Sequence, residues 1–465
     1  MIIYFILTLA AVILISFFLA PRVQTVDGFF KGFTDDGTAP LLWTLVLSQV
    51  TTWIFARSLM TAALLGFYYG IAGAVAYAAY YISFLTGGLI IDHLRFKHGK
   101  SNIQSFMREQ FGQIGSHCYN LVVALRLLSE IFSNLLVIVI ILEEFFHIGN
   151  FYFHLMIMLS VALLTFGYSV YGGLRASLLT DVFQAILVFL ALLMLFMLMV
   201  FHPNFSWQAA LTSSPDISNP GWVLLAVAFL QVWSYPLHDP VMMDRGFLAN
   251  REVTRKSFNY AAVIATFCIL TFAMLGVFAG ILKSENEGMI STLTRIFGEP
   301  YMYIFIFALI VSAFSTLDST FSSASKLIAI DMELVAPTLA NGRWIMLAFL
   351  MGGSLFLLLG NKDLYTAVAI SGTASMFLAP VIFFNIWGNR SIATWPLIVS
   401  FVAAFSGSIL YLLESSAYVS WMEHWFDYRH KYSKLLIICL AILIIGCGTF
   451  FIESFFCRKQ QPRTT

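Results

Sequence analysis

Charge is what this chain has least of. Only 11% of its residues are Asp, Glu, Lys or Arg, against about 25% in soluble chains. A water-facing surface for a soluble fold of this length cannot be built from so few. Cysteine is also scarce: Cys118, Cys268, Cys439, Cys447 and Cys457 are scattered, and none forms a CxxC pair. That excludes a disulfide framework, and the five read as small buried hydrophobes. No nucleophile–base pair, metal motif or phosphate loop appears, so nothing points to an enzyme. The net charge of +1 implies no polyanionic partner such as nucleic acid. Low-complexity tracts, extended linkers and soluble domains are absent too.

What remains is apolar. Hydrophobic residues make up 60% of the chain, and mean hydropathy is +0.86. Length alone, 465 residues, would suggest about three soluble domains. Recurring runs of about 18 or more apolar residues, each able to cross a bilayer core of about 30 Å, instead predict one all-α integral membrane domain over 1–465. The runs place thirteen spans at about 2–20, 40–66, 67–92, 116–145, 152–170, 176–201, 221–244, 257–282, 301–330, 342–360, 363–387, 392–413 and 434–456. The first lacks a basic leader, and Pro21 follows Ala20 where cleavage would fall, so it reads as a retained helix. With the N-terminus outside, cytoplasmic loops hold Arg22, Lys31, Arg95, Lys97, Lys100, Arg108, Arg175, Arg245, Arg251, Arg255, Lys256, Arg343, Arg390, Arg458, Lys459 and Arg463. That is about 16 basic residues against about 6 outside, which favours N-out and C-in.

Ionisable groups inside these spans carry the functional signal, because a charge at mid-bilayer costs about 2.5–3.5 kcal/mol on insertion scales. The ninth span contains SAFSTLDSTFSS, from Ser312 to Ser323. Ser312, Ser315, Ser319 and Ser322 recur at helical spacing along one face, with Asp318 beside them. Small hydroxyl residues also serve close helix packing. The added carboxylate favours a hard cation, which takes oxygen ligands. Asp181, near the cytoplasmic end of the sixth span, is either an interfacial charge or, if the fold brings it to Asp318, part of the same site.

In the fourth span Arg126, Glu130 and Asn134 share a face. Arg126 either pairs with Glu130 or offers its fork to a solute carboxylate. The seventh span reads QVWSYPLHDP, from Gln231 to Pro240. Its two prolines predict a broken helix, which at membrane depth is tolerated only around a cavity. Trp233, Tyr235 and His238 are candidate cavity walls. In the second span the polar run from Ser48 to Trp53 predicts another unwound stretch, and Arg57 needs a buried partner, for which Glu130 is the candidate.

Three motifs carry a resemblance. Gly172 to Ala176 followed by Thr180-Asp181-Val182-Phe183-Gln184 is similar to a GGLRA…TDxxQ signature. Ser315-Thr316-Leu317 through Ser323-Ala324-Ser325 to Asp331 is similar to an STL…SAS…D signature. Asp239-Pro240 through Asp244-Arg245 to Ala249 is similar to a broken-helix and QR segment. In these the chain resembles the sodium:solute symporter family, which includes proline permeases and sodium–glucose cotransporters. The resemblance implies the LeuT-type fold of two inverted five-helix repeats, with the site at mid-membrane. Residues 1–20 would then be an extra N-terminal helix, 40–387 the ten-helix core, and 392–465 the C-terminal helices and tail.

The family's sodium site implies ligands at Ser315 and Thr316, the Ser312 carbonyl, and the Leu47 and Val50 carbonyls. A second cation or a proton would sit at Asp181, Ser315, Asp318 and Ser319. The solute site would involve Gln49, Thr51, Arg126, Trp233, Tyr235 and His238. Asp318, Lys326 and Arg57 depart from the family pattern. Two acids at one site bind a second cation or share one proton, because like charges disfavour joint ionisation. The expectation is therefore sodium-coupled symport of a small polar or carboxylated organic solute by alternating access, with Na+ as the co-transported ion and no organic cofactor. The alternatives are a proton-coupled symporter on the same fold and a non-transporting membrane sensor. Membrane lipid and a small solute are the expected partners, and a bacterial inner membrane the expected location.

Overall fold

The computed structural model describes residues 2–355, 364–416, 418–426 and 430–457. Helix dominates, and no strand occurs among the described residues. In chain order the helices are α1 (Ile2–Leu19), α2 (Val26–Lys31), α3 (Leu42–Trp53), α4 (Ala56–Ala79), α5 (Ser83–Ile91), α6 (Ile103–Glu144), α7 (Phe151–Val200), α8 (Trp207–Leu211), α9 (Pro220–Gln231), α10 (Pro240–Arg245), α11 (Arg251–Leu282), α12 (Met289–Phe297), α13 (Glu299–Lys326), α14 (Leu339–Leu355), α15 (Leu364–Ala374), α16 (Leu378–Pro380), α17 (Thr394–Ser415), α18 (Trp421–Phe426) and α19 (Lys431–Cys457).

Among the described residues, eight continuous helical stretches are long and apolar enough to cross a membrane, which makes this an integral membrane protein. Three of them run 42, 42 and 50 residues, about 63 to 75 Å at 1.5 Å per residue, or twice a bilayer core. Each is divided by a glycine of positive φ: Gly70 (62°), Gly112 (68°) and Gly173 (54°). At Gly70 an added Cβ would press on Ser213 and Ser214, and at Gly173 on the carbonyl and ring of Phe29. Both turns therefore need glycine twice over, for backbone freedom and for room. Divided at Gly173, the 50-residue stretch covers the expected spans at 152–170 and 176–201; divided at Gly70, the stretch from Ala56 covers the end of the span expected at 40–66 and the one at 67–92. The facing ends of the spans expected at 342–360 and 363–387, and the basic residues Arg458, Lys459 and Arg463, lie outside the described residues.

Small residues set the closest helix contact. On α11, Gly276 and Gly280 are spaced as GxxxG. A Cβ at Gly276 would collide with the Ala63 carbonyl, and one at Gly66 with the Ala273 carbonyl. The α4 and α11 backbones thus touch directly, as lipid-immersed helices do when packing rather than water drives association.

Two helices break at membrane depth. The expected break between α9 and α10 is present: a short 3-10 turn, Tyr235–His238, separates them, and Pro240 opens α10 with Asp239 as its cap. The expected unwinding at Ser48–Trp53 is corrected. That run is helical, and the interruption falls at Ile54 (φ −88°, ψ 42°) and Phe55 (φ −79°, ψ 164°). Within the run two hydroxyls return to the helix's own carbonyls: Thr51 donates to Ser48 O (3.0 Å) and Thr52 to Gln49 O (2.7 Å).

Candidate functional site: an ion cluster and an aromatic chamber

The break between α3 and α4 leaves backbone carbonyls beyond the helical ladder, and side chains from two directions claim them. Tyr81 donates to Trp53 O (2.5 Å), and Ser312 on α13 donates to Ile54 O. The hydroxyl face of α13 therefore docks on the break itself. Leu47 and Val50 lie just before it, inside α3, and Val50 O accepts the Ile54 amide (2.9 Å). A carbonyl has two lone pairs, so one remains on Val50. Thr316 donates to Ser312 O (3.0 Å).

Asp181, on α7, is the hub. It is fully buried and accepts from Ser48 on α3 (2.6 Å), from Ser319 on α13 (3.0 Å) and from Ser315 on α13. Asp181, Ser315 and Ser319, expected at one site, are thus brought together. Asp318 lies on the adjoining side: its Oδ2 accepts from Thr180 (2.6 Å), while its Oδ1 is buried without a partner.

A fourth element completes the cluster. Arg245, at the end of α10, is read from the sequence as a cytoplasmic loop cation, and the structure corrects this: it is fully buried. Its Nε donates to Ser48 Oγ (3.2 Å), Nη1 to Val241 O (2.6 Å) and Nη2 to Ser319 Oγ (2.9 Å). Nη2 also stands 3.6 Å from Asp181 Oδ2. Ser48 and Ser319 each accept from Arg245 and donate to Asp181, so guanidinium, two hydroxyls and carboxylate form a closed ring.

A second charge cluster sits at the other broken helix. Glu130 accepts from Arg57 (3.2 Å) and pairs with Arg126, and Arg126 Nη2 donates to Asp239 Oδ2 (3.2 Å). Both open questions about these residues resolve: Arg57 finds Glu130, and Arg126 is paired rather than free. All four side chains are buried. Two guanidiniums face two carboxylates, so the cluster has no net charge.

Above it lies a chamber of about 10 Å³ walled by Trp53, Phe55, Ser58, Tyr77, Tyr80, Tyr81, Arg126 and Tyr235. That is room for about one water. On its other flank Arg126 lines a separate, mostly apolar groove of about 210 Å³ with Ser129, Ser371 and Ser408.

The expected solute residues divide accordingly. Tyr235 and Arg126 line the chamber. Gln49 is fully buried, and its amide makes no hydrogen bond on either atom. Thr51 is spent on the α3 backbone. His238 turns away, with Nδ1 donating to Tyr235 O (2.5 Å) and Nε2 3.1 Å from Ser371 Oγ. Trp233 is 39% exposed and packs on Phe383 and Trp387, so it is not a chamber wall. Its position two residues before Tyr235 puts it on another face of the turn.

Lys326 belongs to a third cluster. It donates to Asp244 (2.6 Å) and Asp331 (2.9 Å), and Asn102 donates to Asp331 (3.1 Å). Sequence reasoning missed Ser48 and Thr180 as partners of the two aspartates and Arg245 as a member of the site. The available signal was an Arg five residues past a helix-opening proline, directly at the end of an apolar span.

No family model matches this chain, and no curated protein matches it in sequence. Solved structures do match in fold. A Na+-coupled sialic acid symporter in a substrate-bound outward-open state superposes with a TM-score of 0.69 at 15% identity, covering 96% of this chain and 97% of that one. A nucleobase-cation-symport-1 family transporter, closed with bromovinylhydantoin bound, gives 0.58 at 14% identity over 96% and 98%. A manganese transporter from Eremococcus coleocola gives 0.55 at 11% over 90% and 95%. The likeness spans nearly the whole chain and shows the LeuT-type architecture.

Proposed function

We propose that this protein is a secondary active symporter of the sodium:solute type, which uses a sodium gradient to carry a small polar or carboxylated organic solute by alternating access. The observation that carries the reading is the meeting of two helix breaks, at Ile54–Phe55 and at 232–239, beside the hydroxyl face of α13. Broken helices at membrane depth expose backbone poles where a cavity forms, and the carbonyl end of α3 is the negative pole of its helix dipole. The sodium ligands are the Leu47, Val50 and Ser312 carbonyls with the Ser315 and Thr316 hydroxyls. Ser315 gives its hydrogen to Asp181, which turns its lone pairs toward the ion.

The solute occupies the aromatic chamber, which at about 10 Å³ has to widen to take it. Gln49 supplies an amide with both ends open. Because the Arg57–Arg126–Glu130–Asp239 cluster is already neutral, a solute of zero net charge fits it as it stands. A carboxylated solute has to take the place of Glu130 or Asp239 on Arg126. The chain forms one transport domain with the N-terminus outside and thirteen spans, in a bacterial cytoplasmic membrane.

One observation favours a second reading, proton coupling: Asp318 holds a buried oxygen without a partner, and the cluster has two carboxylates against one guanidinium. A proton or a cation there restores neutrality.

The test is the thermal stability of purified protein in matched sodium and choline salts, at two pH values, with a panel of amino acids, organic acids, sugars and nucleosides. A ligand specific to the native state stabilises by RT ln(1 + [L]/Kd). Sodium-specific stabilisation, enhanced by one solute class and lost in Thr316→Ala, is the expected result. A sodium response that survives Thr316→Ala overturns the site assignment. A response that follows pH and ignores sodium moves the coupling to Asp318.

A further inference from the structure

A groove of about 910 Å³ opens between α5 and the first turns of α11, away from the ion cluster and the aromatic chamber. Leu85, Gly88 and Leu89 give it an apolar end. Both leucines are exposed. Gly88 lets α5 lie close against α11, since a Cβ there would stand 3.1 Å from Phe258 Cβ. The other end is charged: Arg251, Arg255 and Lys256 stand against Asp92 and Glu252. Both acids are already engaged. Asp92 accepts from Arg251 Nε (2.6 Å) and Nη2 (2.8 Å), and Glu252 accepts from Lys256 (2.6 Å). No hydrogen bond or ion pair engages the Arg255 side chain among the described residues. Three cations against two anions leave one positive charge uncompensated, at the positive pole of a 32-residue helix.

The surface of α11 fixes the depth of this groove. Lys256, Tyr260, Val263 and Phe267 follow at helical spacing, and all four are exposed. Along about 16 Å of helix the face therefore passes from cation through aromatic to hydrocarbon. Tyr260 stacks on the exposed Trp43, with ring centroids 5.8 Å apart and 17° between the planes. An exposed Trp–Tyr pair at a span end marks the headgroup level. The Asp92–Arg251 pair sets α5 at the same height, so Leu89 and Leu85, about one and two turns back along α5, lie at acyl-chain depth.

We propose that this groove binds an anionic diacyl phospholipid of the leaflet at which α11 begins, with its phosphate on Arg255 and Lys256 and an acyl chain along Leu89 and Leu85. Each part of the lipid meets its chemical counterpart. Guanidinium offers a planar fork to phosphate oxygens, and ammonium adds a point charge. Basic pockets between membrane helices take anionic head groups in this way. A zwitterionic lipid carries its own cation beside the phosphate, which the uncompensated charge of the groove disfavours. The bound lipid bridges α5 and α11 beside a connection that the protein already bolts down: Arg95 Nη1 donates to Gly246 O (2.9 Å) and Ala249 O (2.5 Å), both in the link from α10 to α11. It therefore reinforces the anchor of the second broken helix. Neither the coupling ion nor the solute enters into this binding.

The full-length protein, stripped of lipid in maltoside micelles, is titrated with dioleoyl phosphatidylglycerol and separately with dioleoyl phosphatidylcholine. Bound lipid per chain is counted by native mass spectrometry. Arg255→Gln/Lys256→Gln removes the two cations assigned to the phosphate, and both side chains are exposed, so folding is not at stake. Lys31→Gln/Lys100→Gln removes the same charge elsewhere. The expected result is one phosphatidylglycerol held in preference to phosphatidylcholine by wild type and by the Lys31/Lys100 variant. In the Arg255/Lys256 variant its affinity falls about tenfold or more, as expected for two cations at a membrane surface. Equal affinity for the two lipids overturns the proposal, and so does an Arg255/Lys256 variant that binds like wild type. An equal fall in the Lys31/Lys100 variant reduces the effect to overall charge and overturns it as well. Displacement of the lipid by millimolar glycerol 3-phosphate would assign the groove to a soluble anion and refute the lipid site.

Discussion

Glu130 is the residue whose neutralisation should hurt most. It accepts from Arg57 (3.2 Å), pairs with Arg126, and holds Asn134 (3.3 Å), all in buried surroundings. Glu130→Gln keeps the shape and one acceptor but removes the only carboxylate paired with Arg57 among the described residues. It also leaves Arg126 with Asp239 alone. Removing one partner of a buried ion pair costs about 3–5 kcal/mol, because the other charge is stranded. The retained amide oxygen should place Glu130→Gln near the lower end, at about 3 kcal/mol.

Arg57→Met strands charge of the opposite sign. Glu130 and Asp239 would share Arg126 alone, which costs about 3 kcal/mol on the same reasoning, and the stacking of the guanidinium on Phe55, 4.8 Å from the ring centroid, is lost as well. The double variant strands no charge, since Arg126 keeps Asp239. Replacing a buried pair by apolar or neutral groups is often close to neutral. The double should therefore be more stable than Glu130→Gln alone, with a coupling of about 3 kcal/mol, at the upper end of the range seen for residues in one network. Equilibrium unfolding of the four proteins in mixed micelles, followed by circular dichroism, gives the cycle. If the two single costs add in the double, Arg57 and Glu130 do not act as a pair, and the neutral-cluster argument about the solute falls with them.

Two further outcomes are expected. Gly276→Leu should destabilise the protein by well over about 3 kcal/mol, because the side chain has no space against the Ala63 backbone and overpacking at an immovable carbonyl exceeds the usual 1–3 kcal/mol. An unfolding midpoint within experimental error of wild type would refute the direct α4–α11 contact. Lys326→Met leaves Asp244 and Asp331 facing each other without their shared cation, and should loosen the link between α10 and α13. Faster cysteine labelling of a Ser325→Cys reporter in the Lys326→Met background would show it, and an unchanged labelling rate would count against it.

How much of this could be read in the sequence depends on whether the signal was local. Span positions follow from apolar run length, and the α9–α10 break follows from two prolines whose effect is intrinsic. The break at Ile54–Phe55 carries no such marker. Neither residue is Gly or Pro, and in the run before it Thr51 and Thr52 bond back to the helix's own carbonyls. The interruption is imposed from outside, where Tyr81 and Ser312 take the freed carbonyls. Asp181 and Asp318 announced themselves as charges in apolar spans. Arg245 did not, because positive charges at span ends normally mark the cytoplasmic loop, and its burial depends on a carboxylate 64 residues earlier in the chain. Glu130 as the partner of Arg57 was a matter of charge arithmetic: a buried cation needs an anion, and few were on offer.

The last turns of α3 link the two halves of the proposed mechanism. Within seven residues, Ser48 bonds to Asp181 and Arg245, Gln49 presents an open amide, Trp53 walls the chamber, and Ile54 O accepts from Ser312. A ligand at either place can move an equilibrium only by its differential affinity for the two conformations. A rigid helical turn that touches both places makes such a difference unavoidable. An ion that draws α13 toward the Val50 carbonyl shifts the same turn that carries Trp53. A solute that pushes Trp53 away from Tyr235, whose rings now lie 5.5 Å apart, displaces Ile54 from Ser312. The coupling is then reciprocal by thermodynamic necessity, and it is transmitted through one turn of helix. Because Ser48 lies on the same helix a little over one turn before Trp53, the Arg245–Asp181 ring holds that helix as well.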